Sequence, residues 1–195
     1  RCAGTFNPMA FYVDGTLHTS TGAVLTSLTD STVGGDDIAL QAQCDVPGWR
    51  LENRGTVDLN GSTVRGAAVT SRSASFSAHG SALQNTSLDA TEGGSVTMAT
   101  TTVTTTNSAD HVNVCGCAFP PAPTIHADIT TSTFDSLALT LTNLDTTSTI
   151  TANTFRNHDT PLNINNSPVA DATLSILTEA RDLGVNAAFE LAGRQ

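Results

Sequence analysis

The chain contains no lysine, and its eight arginines stand against eighteen acidic side chains, fourteen of them Asp, for a net charge of −10. Without a basic patch to displace counterions, it is not built for nucleic acid. The same balance argues against an anionic membrane surface. Aromatic residues are only 5% and charged residues 13% of the 195 positions, so neither large rings nor wide helical faces supply the core. No apolar run approaches the roughly 18 residues of a membrane span. No signal peptide is visible, and the chain opens at Arg1-Cys2 without an initiator Met, which reads as a removed leader or a segment of something longer. Its length suits one domain.

What is abundant is threonine, about one residue in six. That composition suits short strands with β-branched and small polar side chains outside and Val, Ile, Leu and Phe inside. A weak internal repeat supports this reading. Leu162-Asn163-Ile164 follows Ile150 to Asn157, which follows Leu139-Thr140-Leu141 and Ile125-His126-Ala127, closing on Phe134. Val112-Asn113-Val114, ending at Phe119, and Val96-Thr97-Met98, ending at Val103, precede them; Leu83 to Leu88 and Val69 to Phe76 are fainter members. Apolar and polar residues alternate within each unit, so one side of each short strand faces inward. Units recur about every 11 to 16 residues, and two together make a period of about 23 to 25. Hairpin turn dipeptides are scarce, Asn60-Gly61 being the one that fits. The expectation is therefore an all-β stack of six to eight coils, with strands paired in parallel about 4.8 Å apart. Val112, Val114, Ile125, Phe134, Leu139, Leu141, Ile150, Phe155, Leu162 and Ile164 are expected inside.

The stretch Ile150 to Ser167 resembles the parallel β-helix repeat of the pectate-lyase-like superfamily, in which I-x-x-N-x-F-x-N is followed by G-I-x-L-x-x-S. The likeness covers residues 124–169 well and 56–119 more loosely. It implies a right-handed parallel β-helix with three short sheets. The superfamily holds lyases, hydrolases, adhesins, phage tail proteins and inert spacers, so the resemblance does not choose an activity. Residues 1–55 then read as first coils or a cap, with strand pieces at Ala23–Leu28 and Ile38–Ala42, and 56–170 as the helix proper. Residues 171–195 read as a closing cap. Apolar spacings of three and four from Asp171 to Leu183 suggest a short helix ended by Gly184, and a strand at Ala187–Leu191 is the rival.

Three chemistries are to be weighed against plain structure. Gly35-Asp36-Asp37-Ile38-Ala39-Leu40 is similar to the G-D-D-x-I-A stretch of polygalacturonases, with Val13-Asp14-Gly15 upstream. That resemblance implies Asp14, Asp36 and Asp37 as the general acid and the water-activating base, an inverting pair needing a gap of about 6.5–9.5 Å. The family's G-H-G is missing at the next coil, since Ala78-His79-Gly80 lies too far on, and its R-I-K cannot occur without Lys. Asp-rich loops are also ordinary turn chemistry. A lyase would want a cluster of cations; Arg50, Arg54, Arg65 and Arg72 come nearest, and they read as solvated outer-face charges.

His111, Cys115, Cys117 and His126 offer soft metal ligands. One residue between two thiolates is too few for the usual zinc loop, so no metal and no cofactor is expected. The four cysteines read instead as disulfides, Cys115–Cys117 and Cys2–Cys44 ahead of the other pairings, with Gly116 bending the chain between the first two. Thr-x-Thr pairs at Thr100–Thr102, Thr104–Thr106, Thr131–Thr133, Thr140–Thr142 and Thr149–Thr151 raise ice or crystal-surface binding. Aligned on the inward pairs, however, the outward slots Thr97/Ala99, Asn113/Cys115, Thr140/Thr142 and Asn163/Asn165 are mixed. The sequence thus favours a non-catalytic structural or adhesive protein outside the cytoplasm, binding copies of itself or surface glycans. A polysaccharide hydrolase and an ice binder are the alternatives.

Overall fold

A computed structural model describes residues 10–19, 21–27, 38–40, 49–117, 123–158, 162–165, 167 and 177–178. Every regular element among them is a strand, and every strand pair is parallel. Parallel neighbours need a long crossover between them. Here the crossover is the rest of one circuit: the chain visits three ladders in turn and returns to the first. The inward position of the first ladder recurs at Leu51, Val69, Leu88, Val112, Leu139 and Leu162, in steps of 18, 19, 24, 27 and 23 residues.

The first ladder begins with Ala10–Val13 and Trp49–Asn53 and ends with Ala138–Thr142 and Leu162–Asn165. The second runs from Thr16–His18 through Thr56–Asn60 to His126–Thr130 and Thr149–Thr151. The strands Ala67–His79 and Ser87–Ala99 are each thirteen residues long and serve both ladders, which joins them into one sheet. Their register shifts between Thr91 and Gly94, where Ser73, Glu92, Gly93 and Gly94 all have positive φ and the sheet turns its corner. The third ladder, with its own sheet, includes Thr63–Arg65, Ala82–Gln84, Thr102–Thr104, Thr133–Asp135 and Thr154–Arg156.

Alternation within each strand sends every second side chain into the space between the ladders. Like then stacks on like: Leu25, Val64, Leu83, Val103, Phe134 and Phe155 form one buried column of the third ladder. Val57, Phe76, Val96 and Ala127 form a column of the second. Eight of the ten residues expected inside are buried; Leu162 and Ile164 are only partly so, since they belong to the last described strand of their ladder.

The corner between the second and third ladders follows one rule. Gly61, Gly80, Thr100, Thr131 and Ala152 each have φ between 52° and 59°. The next residue in each case, Ser62, Ser81, Thr101, Ser132 or Asn153, turns a polar side chain inward and is buried. These groups replace the hydrogen bonds that the turning backbone cannot make with itself. Ser62 N–H donates to Ser81 Oγ at 3.2 Å, and Thr101 N–H to Ser132 Oγ at 3.1 Å. Asn60-Gly61, a hairpin signal in the sequence, is a corner of this kind.

Two expectations need correction. Leu177–Thr178, inside the stretch read as a helix, is a strand paired in parallel with Thr154 and Phe155; it satisfies the edge that Thr154–Arg156 would otherwise expose. The rest of 171–195, Ala187–Leu191 included, lies outside the described residues. The proposed alignment of outward slots also fails at one member. Asn113/Cys115, Thr140/Thr142 and Asn163/Asn165 do share a register, but Thr97/Ala99 belongs to the second ladder, opposite Asp128/Thr130.

Candidate functional site

A group of three titratable side chains, His126, Asp128 and Asp145, forms where Ile125 to Asp128 meets the loop Leu144 to Ser148. Alternation buries Ile125, Ala127 and Ile129 and leaves His126 and Asp128 on the outer side of the second ladder. One circuit later, Ile125 and Leu144 bridge, and Asp145 N–H donates to Ile125 O at 3.0 Å. The Asp145 carboxylate then caps its own loop, accepting from Thr147 N–H at 3.0 Å and from Ser148 Oγ at 2.9 Å. Asp is suited to such a turn because its short side chain reaches the backbone two residues on.

His126 lies between two carboxylates. Its Nδ1 is 3.1 Å from Asp145 Oδ2 and its Nε2 is 3.0 Å from Asp128 Oδ2. Only the imidazolium can donate from both nitrogens. Burial works against the charge, but the hydrogen bonds with Asp128 and Asp145, and the fields of both carboxylates, outweigh it and raise the His126 pKa above 6.5. Burial likewise tends to raise the Asp145 pKa, yet the bonds from His126, Ser148 and Thr147 prevail and lower it to about 2.

A second cluster repeats the theme on the first ladder. His111 Nε2 approaches Asp89 Oδ2 at 3.2 Å across one circuit, while Nδ1 lies 3.0 Å from Ala109 O. Asn113 Nδ2 donates to the same Asp89 carboxylate at 3.1 Å. Burial opposes charging, but the Ala109 carbonyl, Asp89 and Asp110 together raise the His111 pKa. His18 and Asp58 make a third such pair, 2.8 Å apart, between neighbouring strands of the second ladder.

These arrangements clamp one circuit to the next. General base catalysis needs an imidazole nitrogen free to accept a proton from substrate, and both nitrogens of His126 are engaged. The hydroxyl beside the ring, Thr147 Oγ1, lies 3.2 Å from His126 Nδ1 and donates to Asp145 Oδ1 at 3.0 Å, while Ser148 Oγ is buried, donates to Asp145 and accepts from Ala127 N–H at 3.0 Å. The two carboxylates approach opposite nitrogens of the ring, so their oxygens diverge, and among the described residues no group of three or more His, Cys, Asp or Glu is placed to hold a metal ion.

The sequence candidates fall as follows. Asp14 is exposed at the corner between the first and second ladders; Asp36 and Asp37 lie outside the described residues. Cys115 and Cys117 are joined in a disulfide, their Cα atoms 5.0 Å apart, while Cys2 and Cys44 lie outside the described residues. The four soft ligands do not converge: the sulfurs are bonded to each other, and His111 and His126 stand on different ladders with carboxylate partners. The Thr pairs are likewise scattered. Thr140/Thr142 face outward on the first ladder and Thr149/Thr151 on the second, while Thr100 and Thr131 are corner residues.

Asp89, Asp128 and Asp145 were not singled out from the sequence. Their signals were His126-Ala127-Asp128, which puts an acid beside a base on one strand face, and Asp145-Thr146-Thr147-Ser148, a turn-capping pattern. Compared with known proteins, the chain matches no family model, no curated protein and no solved structure.

Proposed function

We propose that the chain is a right-handed parallel β-helix acting outside the cytoplasm as a non-catalytic structural or adhesive protein, binding copies of itself or surface glycans through polar faces. The observation that carries this reading is the use made of its reactive side chains. His18, His111 and His126 each bond a carboxylate of the same or a neighbouring circuit, His111 also engaging the Ala109 carbonyl, and no buried side-chain nitrogen or oxygen among the described residues lacks a partner. Satisfied polar networks rigidify. Stacked circuits add a stiff rod whose ends present strand edges for further copies. The Cys115–Cys117 bond supports an oxidising compartment.

Electron microscopy of purified protein across a range of concentrations, paired with binding and turnover assays on acidic and neutral polysaccharides, tests the reading. Rods that lengthen with concentration, or saturable glycan binding without turnover, are the expected outcomes. Polysaccharide turnover that disappears in Asp14→Asn, Asp36→Asn or Asp37→Asn overturns it in favour of a hydrolase.

A further inference from the structure

We infer that Cys115–Cys117 is an exchangeable bond, a site at which an external thiol forms a mixed disulfide with Cys117, and not a staple of the fold. The first argument is loop length. A disulfide constrains the unfolded chain in proportion to the logarithm of the loop it closes, and one intervening residue closes almost the smallest loop there is. The second is redundancy. The strand His111–Cys115 is already paired on both sides, with Leu88–Thr91 and with Ala138–Thr142. Gly116 N–H donates to Thr142 O at 2.9 Å, and Asn143 Nδ2 donates to Gly116 O at 3.1 Å. The glycine is itself required by close approach, because a Cβ there would meet Pro123 O at 2.2 Å and Asn143 O at 2.8 Å. A backbone hydrogen bond and one from the Asn143 side chain thus hold the bend without help from the sulfurs.

The third argument is asymmetry. Cys115 sits between Thr91 and Thr142 at an outward position of its strand, yet is only 3% exposed, whereas Cys117 is exposed. Exchange proceeds by thiolate attack on an accessible disulfide sulfur. An incoming thiolate therefore attacks Cys117 Sγ, the bond between the two sulfurs breaks, and Cys115 Sγ leaves with the electron pair. Cys115 takes up the proton that the incoming thiol gave up, and the product is a disulfide between Cys117 and the incoming sulfur. The disulfide is its own oxidant, so the step balances with no further reagent. The ligand class is a small thiol or an exposed cysteine of another chain.

The test is incubation of the 195-residue chain with reduced glutathione, acid quenching, and mapping of the modified peptide by mass spectrometry. Glutathione on Cys117, with the strand circular dichroism signal and the melting temperature retained, is the expected result. Glutathione on Cys115, or a bond that opens only when the chain unfolds, overturns the inference. Two variants check the asymmetry independently. In Cys115→Ser the remaining Cys117 thiol should react with an aromatic disulfide reagent at least about tenfold faster than the Cys115 thiol does in Cys117→Ser; equal rates overturn the inference.

Discussion

Ser132 and Asn153 lie one above the other inside a corner of the stack, the Ser132 N–H donating to Asn153 Oδ1 at 2.9 Å. Asn153 Nδ2 also donates to Ile129 O at 2.7 Å, so one buried side chain satisfies a donor and an acceptor of the circuit before it. Asn153→Ala orphans both, and a buried unsatisfied group costs about 1–3 kcal/mol. Asn153→Ser should lose less. The equivalent Ser81 accepts from Ser62 N–H and donates to Leu59 O with a single hydroxyl. Chemical denaturation of the three proteins checks the order; equal losses for Ala and Ser would contradict the shared role of the corner positions.

Phe134 and Phe155 stack with ring centroids 5.2 Å apart and planes 15° from parallel, each buried in the column that Val64, Leu83 and Val103 continue. Truncating a buried Phe to Ala costs about 3–5 kcal/mol. Phe134→Leu should cost much less, because a Leu already occupies this column at Leu83. A Phe134→Ala protein as stable as the parent would show that the column is not packed.

Those two pairs also mark what the sequence made legible. The inward Phe positions and the Leu139/Leu141 and Val112/Val114 pairs were readable because apolar–polar alternation is local. The corner rule was harder to see. Gly61-Ser62-Thr63-Val64, Gly80-Ser81-Ala82-Leu83, Thr100-Thr101-Thr102-Val103, Thr131-Ser132-Thr133-Phe134 and Ala152-Asn153-Thr154-Phe155 share it with no invariant residue, although Thr stands third in four of the five. What they share is a left-handed backbone and an inward polar group, and Gly, Thr and Ala all adopt the former here. The His126 clamp was invisible for another reason. Asp145 meets His126 only through circuits of unequal length, and the step from Val112 to Leu139 is eight residues longer than that from Val69 to Leu88.

Gly80 and Gly94 both have positive φ, yet their substitutions should differ. A Cβ on Gly80 meets nothing within 4 Å, and the equivalent corner residue one circuit from the end is Ala152. Gly80→Ala should therefore cost no more than the about 1–2 kcal/mol of left-handed strain. A Cβ on Gly94 would lie 2.3 Å from Ala74 O and 2.6 Å from Ala74 N, backbone atoms fixed in the ladder. Gly94→Ala should cost about 3 kcal/mol or more, as overpacking against main chain does. Melting temperatures of the two variants decide it, and a Gly94→Ala protein no less stable than Gly80→Ala would refute the close approach.

The clamp at His126 gives stability a defined pH window. The His126 pKa is raised above its unfolded value of 6.5 by Asp128 and Asp145, so its contribution is complete below 6.5 and is lost as pH rises through the raised folded value. Asp145 is lowered from 3.8 to about 2, so its contribution is complete above 3.8 and is lost as pH falls towards 2. The two overlap between about pH 4 and 6.5, where the His126 imidazolium and the Asp145 carboxylate are both charged. Asp128 and Asp145 flank the ring, with the Thr147 hydroxyl 3.2 Å from Nδ1, and Ser95 pairs with His126 in the ladder. His126→Gln keeps a polar side chain but cannot charge. The difference in melting temperature between the parent and His126→Gln should be largest inside that window and shrink on either side, the His111–Asp89 and His18–Asp58 pairs cancelling because both proteins carry them. The exposed setting makes the difference salt-sensitive as well, since neither carboxylate is fully withdrawn from water. A difference that stays constant from pH 3 to pH 9 would show that His126 holds the two circuits together by shape alone.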